Sequence, residues 1–197
     1  MRRVLLCFDT RAGSTARTAD MLASCLRELG ASADAVPLSA AKLPGPYDMV
    51  VLASPLRFGR PTGRLRRFLA DNREALSHVK LSLFFTCLVL WTVEGASKPP
   101  FPLFMDPGLS GPPKKDRFLN MVEFAHTLSF TSRRLEKALA GLSPDAVGFL
   151  RGSLDFSRLG IVDKLCMLGL MVFVRETVEG DFVSPDAVRA FAETLLA

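Results

Sequence analysis

The chemistry-bearing residues crowd into Thr10-Arg11-Ala12-Gly13-Ser14-Thr15, directly after the apolar run Val4 to Phe8. Ala19, Leu22, Ala23, Leu26 and Leu29 then recur at spacings of three and four, with Gly30 as the stop, which predicts a helix. A strand that feeds a helix through so short a turn gathers unpaired backbone N–H groups at one point. The helix dipole adds partial positive charge there, so the turn suits a phosphate. Hydroxyls at Thr10, Ser14 and Thr15 can donate to phosphate oxygens, and Gly13 allows close approach or positive φ. The same residues also suit an ordinary strand-to-helix turn with a Ser/Thr cap.

Two further stretches have the same form. Tyr47 to Ser54 is a continuous apolar strand that runs into Ser54-Pro55-Leu56-Arg57-Phe58-Gly59, and Leu81 to Leu90 leads through Thr86 and Cys87 to Trp91. Phe58 offers an aromatic plane for stacking. Trp91 can cover a ligand or sit in the core. Neither a Gly-x-Gly-x-x-Gly dinucleotide turn nor a Lys-containing triphosphate loop occurs. A Gly-x-Ser-x-Gly elbow and zinc spacing are absent too. His78 and His126 lie in helical context and read as exposed or half-buried polar residues. No metal is expected, and no catalytic residue is assigned.

The elements that position these loops follow from the alternation of strand and helix, which implies right-handed crossovers and a parallel sheet. Ala33 to Leu38 reads as a second strand, Pro61 as the start of a helix, and Ala146 to Gly152 as a fifth strand. Phe118 to Ala140 and Arg158 to Val174 read as helices, and Ser184-Pro185-Asp186 caps a last one. The expected fold class is α/β, a doubly wound sheet of five parallel strands in the order 2-1-3-4-5. Such a sheet binds its ligand beyond the carboxyl ends of strands 1 and 3, where two of the loops lie. The chain reads as one domain over residues 1–197.

Residues 91–117 interrupt the pattern, with six Pro and three Gly in 27 residues. The segment is expected to be an irregular insert whose Phe101, Leu103, Phe104 and Met105 form a lid or rest on a membrane. Excising 98–112 is expected to leave the fold intact. Leu81 to Val93 and Leu165 to Val174 both fall short of the roughly 20 residues that cross a bilayer. The scattered Cys7, Cys25, Cys87 and Cys166 read as reduced thiols, which with the lack of a signal peptide predicts a cytoplasmic protein.

Thr10-x-x-Gly13-x-Thr15-x-x-x-Ala19, with the Ser54 to Gly59 loop, resembles the flavodoxin family. The resemblance is greatest to the bacterial flavodoxin-type protoporphyrinogen IX dehydrogenases, which serve heme biosynthesis and pass electrons to quinones. It is carried by Thr10-Arg11-x-Gly13-x-Thr15, by Arg57-Phe58-Gly59, and by Gly152 with Leu154 to Phe173. It implies flavin mononucleotide (FMN) as cofactor, held by Thr10, Arg11, Ala12, Gly13, Ser14 and Thr15 at the phosphate. Ser54, Pro55, Leu56, Arg57, Phe58, Gly59, Thr86, Cys87 and Trp91 would lie along the ring.

The net charge of +5 and a pI near 9.3 favour anionic partners. Six Arg but only Asp71 among the acids fall between Arg57 and Arg73. A basic flavin site suits a two-electron oxidoreductase with a tetrapyrrole or quinone substrate better than a one-electron shuttle. It also suits the anionic inner face of a membrane. The alternatives are a flavodoxin electron carrier serving a redox protein and a flavin-free interaction module. No nucleic-acid partner is expected, and an oligomer is compatible with the sequence.

Overall fold

The computed structural model describes residues 1–109, 111–158, 160, 161, 164, 165, 168 and 179–197. Most of the helix expected over 158–174 lies outside the described residues, as does Cys166. Strands β1 (Arg3–Phe8), β2 (Ser32–Pro37), β3 (Met49–Pro55) and β4 (Lys80–Cys87) are all parallel. They continue through β6 (Ala146–Arg151) to β5 (Leu103–Met105) in the order β2-β1-β3-β4-β6-β5.

The apolar strand runs are continuous because the sheet is covered on both faces. Leu5, Cys7, Val50, Leu52, Leu83 and Phe85 pack on one face, against Leu65 and Leu69 of α2 (Gly63–Asp71) and Leu135 of α5 (Leu128–Leu139). Their neighbours Val4, Leu6, Val51, Ala53 and Phe84 pack on the other. That face is covered by α1 (Ser14–Glu28) and the C-terminal helix α6 (Pro185–Leu196). Registers Phe8↔Ala53 and Pro55↔Thr86 bring the ends of β1, β3 and β4 level. Three loops therefore leave the sheet side by side, at the carboxyl ends of its central strands.

Several expectations are corrected. The parallel sheet has six strands, not five, because the insert supplies the edge strand β5. Its Phe101 and Leu109 are buried, and Phe104 stacks on Phe191 of α6 with centroids 5.2 Å apart. Asp106, also buried, accepts the N–H groups of Gly108 and Arg151. Phe101, Phe104, Asp106 and Leu109 thus pack into the fold instead of forming a lid, while the flanks 94–98 and 111–113 are exposed. The helix expected over 118–140 is also broken, into α4 (Met121–Ala125) and α5, after a short α3 (Arg73–Ser77) earlier in the chain. Thr127 ends the first as its backbone pairs with Trp91, and its side chain caps the second. Likewise α2 starts at Gly63 under a Thr62 cap, not at Pro61. A two-stranded antiparallel ribbon, β7 (Ser153–Leu154) with β8 (Gly180–Asp181), closes the described elements.

Candidate functional site

Beyond the carboxyl ends of β1, β3 and β4 lies a cleft lined by all three loops. Thr10, Arg11, Ala12, Ser14 and Thr15 line it from the first turn. Pro55, Leu56, Arg57, Phe58 and Gly59 line it from the second loop, and Thr86 and Cys87 from the third. Three expected residues stand back from it. Gly13 is the N-cap of α1, at φ 89°. Ser54 is buried in β3, its hydroxyl turned to the Pro55 carbonyl. Trp91 is 9% exposed and packs under Lys114, whose Nζ lies 3.5 Å from the ring centroid. Of the two readings open for Trp91, the packed one describes its position.

The first turn could hold an anion. Helix α1 has no side-chain cap and no acidic residue in its first turn, so backbone N–H groups and the dipole face the cleft. Thr10 Oγ1 accepts the Gly13 N–H at 3.0 Å, which folds the turn. Ser14 Oγ accepts the Ser153 N–H at 2.8 Å, which leaves its own hydrogen to donate. Thr15 and Thr86 share a buried hydrogen bond of 2.8 Å.

The second loop is held in a backbone shape that few residues adopt. Phe58 has φ 47° and Gly59 φ 63°, and a two-sided bond pair joins Arg57 to Arg60. A Cβ on Gly59 would lie 2.3 Å from the Ala125 carbonyl oxygen. The position therefore needs glycine on two counts, conformation and space. Phe58, 46% exposed, projects from this loop.

Several lining residues were not assigned from the sequence. Leu88, Val89 and Leu90 continue the third loop; Gly152, Ser153 and Leu154 come from the end of β6 and from β7; His126 and Thr131 come from the turn before α5 and from its first turns. Burial lowers the His126 pKa from its ordinary 6.5, with the hydrogen bond to Val122 opposing. Burial, then the charge of Asp106, pushes the Cys87 thiol up to about 12. Arg11 and Arg57 line the cleft, and among the described lining residues none is a carboxylate. No described group of His, Cys, Asp and Glu could hold a metal ion.

Sheet order and a cleft at the strand switch define a flavodoxin-like α/β protein. The chain matches the family model described as a flavodoxin domain over residues 5–177, and it belongs to that family. Among solved structures it resembles a short-chain flavodoxin associated with a non-canonical PDU bacterial microcompartment. That likeness has TM-score 0.54 at 10% identity and covers 100% of this chain and 97% of the other. The flavodoxin of Streptococcus pneumonia TIGR4 superimposes at TM-score 0.50 with 12% identity, covering 98% and 97%. Both likenesses are of fold. No curated protein matches the chain.

FMN is the cofactor that family membership implies, and the residues present fit it. The uncapped first turn of α1 and the hydroxyls around it match a phosphate. Thr131 lines the cleft, and its buried hydroxyl has no hydrogen-bond partner of its own. Gly152 leaves room, since a Cβ there would stand 3.1 Å from Ser14 Oγ. A bound flavin would supply electron transfer; the uncapped turn with Ser14 would hold its phosphate, and Phe58, Arg11 and Arg57 would lie along the rest of it.

Proposed function

We propose that the protein is an FMN-dependent oxidoreductase that oxidises a small apolar or anionic donor and returns the electrons to a quinone. A tetrapyrrole is the favoured donor, by resemblance to protoporphyrinogen IX dehydrogenase. One observation carries the reading: the cleft is lined by Arg11 and Arg57 and, among the described residues, by no carboxylate. Positive charge favours the anionic form of a neighbouring group, so the ring is set to take up an electron pair. Propionate groups of a tetrapyrrole fit the same cations, with exposed Arg60, Arg64, Arg66 and Arg67 beyond them.

The membrane face is part of the proposal. Phe118, Met121 and Phe124 are exposed next to Lys115 and Arg117, a combination that suits the anionic surface where a quinone dissolves. No described helix is long and apolar enough to cross a membrane. Contact at the inner face of the cytoplasmic membrane is the proposed location.

The second reading, a carrier flavodoxin, draws on the fold likeness to flavodoxins. Reductive titration of the FMN-loaded protein separates them. The enzyme reading expects electrons taken up in pairs, and turnover when a tetrapyrrole donor and menadione are supplied. Two well-separated one-electron steps without turnover would favour the carrier. A folded protein to which no FMN binds would sink both.

A further inference from the structure

The cleft wall behind Phe58 and Gly59 is made by the segment that joins α4 to α5. A Cβ on Gly59 would meet Ala125 O at 2.3 Å and Thr131 Oγ1 at 2.9 Å, so this segment presses on the loop. His126 lies between those two residues in sequence and lines the cleft. Its ring stands 5.7 Å from the Phe58 ring at 57°, and 6.4 Å from the Trp91 ring at 72°. The backbone is tied on both sides: His126 O accepts the Trp91 N–H at 3.0 Å, and His126 N–H donates to Glu123 O at 2.9 Å.

The tautomer follows from one contact. His126 Nδ1 lies 2.7 Å from the Val122 carbonyl oxygen. A carbonyl only accepts, so Nδ1 carries the hydrogen and Nε2 is the bare nitrogen of the neutral ring. Burial disfavours the charged ring. The charged groups on the surrounding elements are mostly cations: Arg57 on the Phe58 loop, Arg11 on the first turn, and Lys114 beyond Trp91, itself paired with Glu123. The Val122 hydrogen bond favours the charged ring and opposes burial, but the net shift is downward. A neutral acceptor therefore stands on a wall that holds no carboxylate among its described residues.

We propose that His126 is a catalytic residue whose Nε2 takes, and later returns, the proton of the two-electron reaction. The inference rests on the flavoenzyme reading above. A donor whose C–H and whose N–H or O–H sit on the same or on conjugated positions, as the bridge carbon and ring nitrogen of a reduced tetrapyrrole do, loses two electrons and two protons. The electron pair would leave with the C–H hydrogen to the flavin and the N–H or O–H proton would go to Nε2, which leaves a C=O bond or, in a tetrapyrrole, a conjugated C=C and C=N pair. With a quinone the traffic reverses. The electron pair and its hydrogen reach one carbonyl oxygen, Nε2 returns the proton to the other, and a hydroquinone leaves with His126 neutral again. Positioned proton transfer of this kind contributes typically about 10²–10⁴-fold.

The test has two arms. Imidazole ¹⁵N NMR of the whole protein, without cofactor, should show His126 in the Nδ1–H form with a midpoint below 6.5. An Nε2–H form, which leaves no bare Nε2 to take a proton, would overturn the proposal. In the second arm FMN-loaded protein is photoreduced and mixed with menadione, or with ferricyanide, which takes single electrons and no proton. His126→Gln, or His126→Asn where Gln does not fold, should slow the menadione reaction about 100-fold and flatten its pH profile. The ferricyanide rate should stay as it was. Equal losses with both oxidants, or none with either, would sink the role of His126 while leaving the flavoenzyme reading intact. Failure of the unaltered protein to bind FMN would fell that reading, and the proposal with it.

Discussion

Thr15 and Thr86 share a buried hydrogen bond of 2.8 Å although 71 residues separate them in the chain. The bond ties the start of α1 to the end of β4, on the floor of the cleft. Thr86→Val keeps the shape but leaves the Thr15 hydroxyl buried without a partner, a loss of about 1–3 kcal/mol. Calorimetry should show a melting temperature lower by several degrees, and a flavin titration a weaker complex. Adding Thr15→Val should restore part of the stability but none of the FMN affinity. Full additivity of the two losses would show that the hydroxyls do not interact.

Much of this site was legible because the strands that feed it are apolar on both faces. Val4 to Phe8 and Met49 to Ser54 can only be covered strands, and a sheet that alternates with helices places its ligand at their ends. The edge strand was not legible. Leu103-Phe104-Met105 is three residues flanked by Pro102 and Asp106-Pro107, and its pairing with β6 is decided by tertiary contacts. His126 was set aside because its helical context carries no sign of the Trp91–Thr127 pairing that seats it. Thr131 sits on an amphipathic helix face, where a buried hydroxyl has no sequence signal. Gly152 was noted through family resemblance, whereas its neighbour Ser153 carried no signal at all.

Gly152 tests the fit at the phosphate end. A Cβ there would meet Ser14 Oγ at 3.1 Å and Thr86 Cβ at 3.4 Å. The neighbours must give by a few tenths of an ångström, and Ser14 is the one that faces the cleft. Gly152→Ala is therefore expected to lower FMN affinity about tenfold, or about 1.4 kcal/mol, with little change in melting temperature. Fluorescence quenching of FMN measures it. Unchanged affinity would place the phosphate away from Ser14.

The cysteines offer a chemical check on burial. Burial pushes Cys7 and Cys87 up to about 12, so almost no thiolate forms at pH 8. Cys25 is also raised, mainly by burial, but is only partly covered. Iodoacetamide labelling followed by peptide mass spectrometry should modify Cys25 and spare Cys7 and Cys87. Rapid labelling of Cys87 would mean that the third loop opens.

His126 also sets a direction for stability against pH. Its folded pKa is below the ordinary 6.5, through burial. Between those two values the unfolded chain binds more protons than the native one, so stability rises with pH there. The contribution is complete above about 6.5 and declines as acid is added below it. Urea unfolding at pH 7.5 and 5.5 should show a larger loss for the unaltered protein than for His126→Gln. Equal losses would mean that the imidazole titrates alike in both states.

The insert gives the most consequential prediction. On composition, excising residues 98–112 should spare the fold; the structure argues the reverse. The excision removes β5, which pairs with β6 from Leu103↔Val147 to Met105↔Phe149. It removes Phe101 and Leu109, both under 9% exposed, and each such side chain is worth roughly 1.5–3 kcal/mol of burial. It also strips the Arg151 N–H of the Asp106 carboxylate, which accepts it at 3.0 Å. Those losses compare with a whole-domain stability of about 5–15 kcal/mol. The shortened protein should be insoluble, or melt far below the full chain, and FMN should bind weakly because Arg151 directly precedes Gly152 on the cleft. A milder change separates packing from catalysis: Leu103, 39% exposed at the strand's outer end, should tolerate Leu103→Ser with FMN affinity and menadione reduction both intact. Circular dichroism melts of both variants decide the matter. A shortened chain that melts like the parent would show that β5 is an ornament on a five-stranded sheet and return the insert to the role of a loop.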